Sequence, residues 1–269
     1  MPGTAHAAPA ERVVSVNLCT DEYVFRLVPR ARIAALSFLA GDRNPIVSTI
    51  VDEVGGIALI RQSAEDILAV TPDLVVMDEG VGTRIRAVLA QAKIPVLDVS
   101  WVGSIAGIRE VTRKLSLALG VPEKGEGLLA EMDARLAAAR ADRAADPPVR
   151  TLVYQPNGYT VAGGLTDEIM EIAGLENAAP AMTRTRLGTI PIEAVIASAP
   201  ELLVLGDRAE TRNSRAHLVL HHPALGVLEG RTQVTWISTA PLLCPGPWSA
   251  MAAGSFAKAG RDARSALKR

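Results

Sequence analysis

Aromatic residues are scarce, with three Trp, three Tyr and three Phe in 269 residues, so the position of each ring is informative. Two cysteines are too few for a disulfide scaffold and form neither a CxxC nor any zinc spacing. Charge is nearly absent in sum: 28 Lys+Arg against 29 Asp+Glu leave −1. That balance gives no basic footprint for nucleic acid and no polybasic membrane anchor. No apolar run approaches the 18 or so residues of a membrane span. Catalytic signatures are missing too. There is no G-x-S-x-G elbow and no P-loop, and Val14-Ser15-Val16-Asn17-Leu18-Cys19 stands where a dinucleotide fold would carry its glycine turn. The Gly163-Gly164 pair marks only a turn.

What is present is a core: 49% hydrophobic residues over a length that suits one large domain or two ordinary ones. β-Branched runs at 13–16, 32–36, 74–77 and 95–99 alternate with helical periodicity at 21–27, 64–70, 83–92 and 104–119, which predicts parallel βαβ units. The alternation resumes with strands at 150–154, 202–205 and 232–237 and helices at 166–173, 192–199 and from Trp248 onward. The halves echo each other. Glu65 through Met77 matches Glu193 through Leu205 at a constant offset of 128 residues, with Pro72 falling on Pro200. Thr20-Asp21-Glu22 is echoed by Thr166-Asp167-Glu168, each predicting a capping hydroxyl and two acids at a helix start. Between the halves, Leu128, Leu129, Met132 and Leu136 recur at helical spacing up to Asp146-Pro147-Pro148. A single helix over 123–145 would span about 34 Å, long enough to join two lobes; a sheet-covering helix with a frayed tail is the plainer alternative. The expected layout is α/β: a lobe at 11–119, an interdomain helix at 120–146 and a second Rossmann-like lobe at 147–269, with a ligand cleft between the lobes. The small-residue stretch from Met1 to Ala10 resembles the end of a signal peptide around its cleavage site, with the charged and apolar parts missing, which predicts an exported protein; a plain flexible terminus is the alternative.

Open α/β sheets bind ligands at the carboxyl ends of their strands. Phe38, Trp101, Tyr159 and Trp248, four of the nine rings, fall in such loops and would suit a large flat or greasy ligand; plugging seams between elements is the alternative for each. Arg184, Arg186 and Arg208 are candidates for pairing with ligand acids, and Glu79 and Cys19 occupy two further strand-end loops. His217 and His221 are four apart, as a helical metal site would have them, yet without an acid or cysteine close by a solvated helix end fits better.

Taken in order, Arg12-Val13-Val14-Ser15-Val16-Asn17-Leu18-Cys19-Thr20-Asp21-Glu22, Arg32 to Ser37, Thr71-Pro72-Asp73-Leu74-Val75 and Leu243-Cys244-Pro245-Gly246-Pro247-Trp248 resemble the periplasmic substrate-binding proteins of ABC importers for iron–siderophore complexes, haem and cobalamin. The likeness runs from about residue 11 to 256. It implies two α/β lobes on one long helix, a shallow ligand cleft and no catalysis. The ligand would be a metal chelate with no intrinsic cofactor, and the partner would be a dimeric ABC permease docked by a monomer, without nucleic acid. The family's docking glutamates fall at Glu65 and Glu193, the pair related by the repeat. Phe38 and Tyr159 fall where cobalamin-type members place cleft aromatics, whereas Asp78 and Thr189 replace tryptophans of those members. In such an exported protein Cys19 and Cys244 would either form a disulfide between the two lobes or remain buried thiols, with thiolate ligation of a metal a third choice. A two-lobed chelatase- or glycosyltransferase-like enzyme and a free-metal receptor using His217 and His221 are the competing functions.

Overall fold

The computed structural model describes residues 9–43, 47–143, 147–206 and 215–267. Its first sheet holds five parallel strands, β1 (Val13–Ser15), β2 (Ile33–Ser37), β3 (Leu59–Ile60), β4 (Leu74–Asp78) and β5 (Val96–Val99), in the order β3-β2-β1-β4-β5. A parallel sheet is covered on both faces; Val13, Val14, Val75, Val76 and Met77 are accordingly buried without alternation. The covering helices of this half are α1 (Leu18–Leu27), α2 (Ala64–Ala69), α3 (Thr83–Gln91) and α4 (Ile105–Ala118). One face of the core gathers Val14, Val16, Ala35, Ile67, Val75, Met77 and Leu89.

Helix α5 (Pro122–Asp142) follows, 21 residues without a break, about 31 Å at 1.5 Å per residue. Pro122 opens it, where the missing N–H has no intrahelical partner to lose. Leu129, Met132, Leu136 and Ala139 line its buried stripe. Gly125 lets it approach α4, since a Cβ there would lie 2.2 Å from Ser116 Oγ.

The second sheet is also parallel: β6 (Val149–Tyr154), β8 (Leu175–Asn177), β10 (Leu202–Leu205) and β11 (Gln233–Trp236), ordered β11-β10-β6-β8. Beside it β7 (Tyr159–Val161) and β9 (Leu187–Thr189) pair antiparallel. Helices α6 (Leu165–Ile172), α7 (Ile192–Ser198), α8 (Ala240–Leu243) and α9 (Ala250–Leu267) complete this half. Leu152, Tyr154, Val195, Leu203 and Leu205 centre its core.

The 128-residue repeat reappears as one hydrogen-bonded device built twice. Arg12, entering β1, donates its backbone N–H to Asp73 Oδ1 (2.9 Å) and its guanidinium to the carbonyls of Thr71 (2.9 Å) and Val70 (2.7 Å). Arg150, at the start of β6, donates its N–H to Glu201 Oε2 (2.9 Å) and its guanidinium to Ser198 Oγ (3.0 Å) and the carbonyls of Ser198 and Ala199. Each arginine thus collects carbonyls left open where α2 or α7 stops before a proline.

By contacts the described chain divides into two compact units. The first holds residues up to Val102, then Ala106–Ala130 and Cys244–Pro247; the second holds Gly103–Ile105, Glu131–Leu243 and the chain from Trp248. The change from one to the other at Ala130–Glu131 falls inside α5. Cys19 and Cys244 form a disulfide with Cα atoms 4.9 Å apart, and both belong to the first unit. The expectation that they sit on different lobes is thereby corrected, because the Cys244–Pro247 segment returns to the first unit.

Other expectations are corrected locally. Thr20 and Thr166 lie inside α1 and α6, whose N-caps are Asn17 and Gly164. Thr20 Oγ1 instead accepts the Asn17 N–H at 3.2 Å. The two- and three-residue strands β3, β7, β8 and β9 are too short for a periodicity to reveal. His217 and His221 lie in a 3-10 helix, Arg215–His221. At three residues per turn they sit a third of a turn apart rather than on one face. His221 stacks on Trp236 at 5.2 Å, and among the described residues no group of three or more His, Cys, Asp or Glu side chains is placed to hold a metal.

Candidate functional site

Parallel strands deliver all their carboxyl ends to one side of a sheet, so each unit carries a rim of loops there. In the first unit the rim reads, across β2-β1-β4-β5, Phe38, then Asn17 and Cys19, then Asp78 and Glu79, then Ser100 and Trp101. Phe38 and Trp101 are 48% and 65% exposed, large rings open to a ligand. Glu79 Oε2 accepts the Ser100 hydroxyl at 2.6 Å, tying the loops after β4 and β5. Cys19 is consumed by its disulfide, which removes it as a thiolate ligand.

The acids of the first echo brace this rim from beneath. Asp21 accepts the Ser37 N–H at 3.0 Å and the Ser37 hydroxyl at 2.5 Å, fixing the residue that precedes Phe38. Burial pushes the Asp21 carboxyl up to about 7, against the lowering effect of its serine hydrogen bonds. Glu22 is buried as well, held by the Thr49 N–H and hydroxyl, each at 2.6 Å, and by Arg26 at 2.5 Å.

In the second unit the rim after β6 carries Tyr159, 43% exposed. Its loop is shaped by Asn157 (φ +60°) and closed by the Gln155 N–H donating to the Tyr159 carbonyl at 2.8 Å. Tyr159 pairs across to Thr189 on β9, and Arg184 and Arg186 lie exposed in the chain just before β9. Arg186 has a fitted seat: a Cβ on Gly103 or Gly164 would lie 2.5 or 2.3 Å from its Nη2. The guanidinium lies close over the backbone of both glycines, and Gly164, at φ +68°, needs glycine for its conformation. Asp167, the echo of Asp21, steadies this turn by accepting the Gly163 N–H at 3.1 Å and Asn177 Nδ2 at 2.6 Å. Glu168 accepts the Ile105 N–H at 2.7 Å.

Trp248 is the ring that the fold withdraws. It is 2% exposed in a 3-10 turn ahead of α9, so it is a core residue, and its expected place against a ligand is corrected. Its segment, Cys-Pro-Gly-Pro-Trp, reads as a surface turn because nothing local records the disulfide and the packing that bury it. Arg208 lies outside the described residues. Glu65 and Glu193 are exposed, each the second residue of its helix, α2 and α7. Sequence reasoning missed the seat under Arg186; Gly103 and Gly164 were its only trace, 61 positions apart and silent without the contact.

Comparison with known proteins gives a consistent set. The family described as "Periplasmic binding protein" matches residues 51–229. Among solved structures, the periplasmic heme-binding protein RhuT from Roseiflexus sp. RS-1, in apo form, is similar with a TM-score of 0.73 at 25% identity, over 94% of this chain and 99% of that one. BhuT, a periplasmic heme-binding protein in complex with two hemes, gives 0.70 at 24% identity, over 95% and 98%. The periplasmic vitamin B12-binding protein BtuF of Vibrio cholerae gives 0.68 at 20%, over 95% and 98%. No curated protein matches the sequence significantly.

Proposed function

The chain belongs to the periplasmic binding protein family, and on that premise we propose that it captures a metal chelate (a ferric siderophore, haem or a corrinoid) in the periplasm and delivers it to an ABC permease. The observation that carries this reading is the pair of strand-end rims bearing Phe38, Trp101 and Tyr159 as exposed rings. Rings exposed at the carboxyl ends of parallel strands lie where open α/β sheets take their ligands. Arg186, lying over Gly103 and Gly164, adds a cation to meet an acidic group of the chelate, with Arg184 two residues before it in sequence. The neighbours that bind heme or vitamin B12 support the size and planarity of the ligand class.

Binding without turnover follows from the same reading: the chelate leaves as it arrived. Docking would use Glu65 and Glu193, two exposed acids in the same position of repeated helices, which suits a permease of two like subunits approached by a monomer.

Intrinsic tryptophan fluorescence tests the proposal. Trp101 is exposed on a rim and Trp248 is buried, so titration with ferric siderophores, haemin and cobalamin should quench emission at micromolar ligand for at least one of them. Trp101→Phe should lose most of that response and Trp248→Phe should keep it. Silence across the whole panel, or recovery of a chemically altered chelate, overturns the reading.

A further inference from the structure

At the middle of the first rim stands a carboxylate that the protein itself does not use. Asp78 ends β4; its backbone N–H donates to Asn17 Oδ1 at 3.3 Å, and its carbonyl accepts from Arg86 at 2.8 Å. Among the described residues no hydrogen bond or ion pair reaches its side-chain oxygens, although the residue is half-buried. Burial accordingly raises its pKa above the ordinary carboxylate value.

The charged neighbours around it are already engaged. Arg86, on α3, pairs with Asp98 of β5 at 2.5 Å and gives its Nε–H to the Val81 carbonyl at 2.7 Å. Glu79 holds the Ser100 hydroxyl, Asp21 holds Ser37, and Glu22 holds Arg26. A half-buried carboxylate that no donor among the described residues meets is open to a donor from outside the chain, and it sits at the strand ends, the place where a ligand arrives. Two exposed rings share this rim: Trp101 follows β5, the neighbour of β4, and Phe38 follows β2, one strand beyond β1; the faces of aromatic rings attract cations.

We propose that Asp78 is a specificity-determining residue that selects chelates carrying a pendant cationic nitrogen, an ammonium group above all. This deepens the chelate-receptor reading and rests on it. The ammonium donates to the Asp78 carboxylate while the adjoining chain lies against Phe38 and Trp101. A chelate whose periphery is only anionic meets a like charge at this rim and is disfavoured there.

The test uses the full chain at low salt and two ferric trihydroxamates that differ at one group: ferrioxamine B, with a terminal ammonium, and its N-acetylated, neutral form. The expected result is binding of the ammonium form at least tenfold more tightly, with that ratio falling towards one in Asp78→Asn and persisting in Asp78→Glu. A ratio near one in the unmodified protein overturns the proposal whatever the variants do, and so does an unchanged ratio in a folded Asp78→Asn. If haemin binds and neither trihydroxamate does, the Asp78 proposal falls and the receptor reading stands. If no chelate of the panel binds, both fall.

Discussion

Thr71 and Ala199 share one backbone conformation, at φ +45° and +40°, 128 residues apart and each directly ahead of a proline. Neither side chain favours the left-handed region, which costs a residue with a Cβ about 1–2 kcal/mol. The strain recurs because the same turn is needed twice, between a short helix and a buried strand, and each time an arginine at the start of the neighbouring strand binds the carbonyls exposed there.

Replacing either residue by glycine should therefore stabilise the fold slightly. Relief of strain exceeds the added chain entropy by about 0.5 kcal/mol, readable as a raised urea midpoint. Arg150→Ala should act the other way, by about 2 kcal/mol, since it strands the carbonyls of Ser198 and Ala199 and the Ser198 hydroxyl together.

Asp21 makes stability depend on pH in an uncommon direction for a carboxyl. An unfolded aspartate titrates near 3.9, whereas the folded group is pushed up to about 7. Between those values the unfolded chain releases its proton first. This residue's contribution is therefore full below about pH 4, declines as pH rises to about 7, and is level beyond. Asp21→Asn keeps an acceptor for the Ser37 N–H and offers a donor to its hydroxyl. The stability of the variant relative to the unmodified protein should grow with pH over that window, to about 4 kcal/mol at most, in urea unfolding at pH 4.5, 6 and 7.5.

Reduction of the Cys19–Cys244 bond should lower stability substantially. The 225-residue separation corresponds to roughly 5 kcal/mol in the chain-entropy model, an upper figure, and about 2–4 kcal/mol is the expected loss. Unfolding with and without reductant measures it, and the Cys19→Ser, Cys244→Ser double variant should match the reduced protein.

Glu65→Lys and Glu193→Lys should each weaken stimulation of the permease ATPase in proteoliposomes, the double variant most. Raising salt should erode the unmodified protein's advantage, because exposed charges are screened over about 10 Å at 0.1 M. A double variant that stimulates as well as the unmodified protein would remove these acids from the docking surface.

Much of this fold is legible in the amino-acid order because it is repeated and locally signalled. Pro72 and Pro200 stop α2 and α7, and the apolar runs behind them, Leu74 to Met77 and Leu202 to Leu205, are buried as parallel strands must be. The stripe of α5 is likewise written at helical spacing. What escaped is whatever depends on partners distant in sequence. Trp248 is buried by packing that its own turn does not announce, and Arg186 acquires its seat from Gly103 and Gly164. Tyr159 to Val161 and Leu187 to Thr189 form a small antiparallel pair whose strands are too brief to show alternation. Asp21 and Asp167 were readable as helix-start acids, yet their bonds to Ser37 and Gly163 turn them into supports for the two rims.

The placement of Cys244 in the same unit as Cys19 also bears on biogenesis. With only one pair of thiols no mispairing is available within the chain, so an oxidase faces no isomer to correct. The earlier thiol must nevertheless wait through a separation of 225 residues before its mate emerges. A fragment ending at residue 130 would carry most of the first unit and leave Cys19 orphaned, so that unit is closed covalently only once residue 244 has been made.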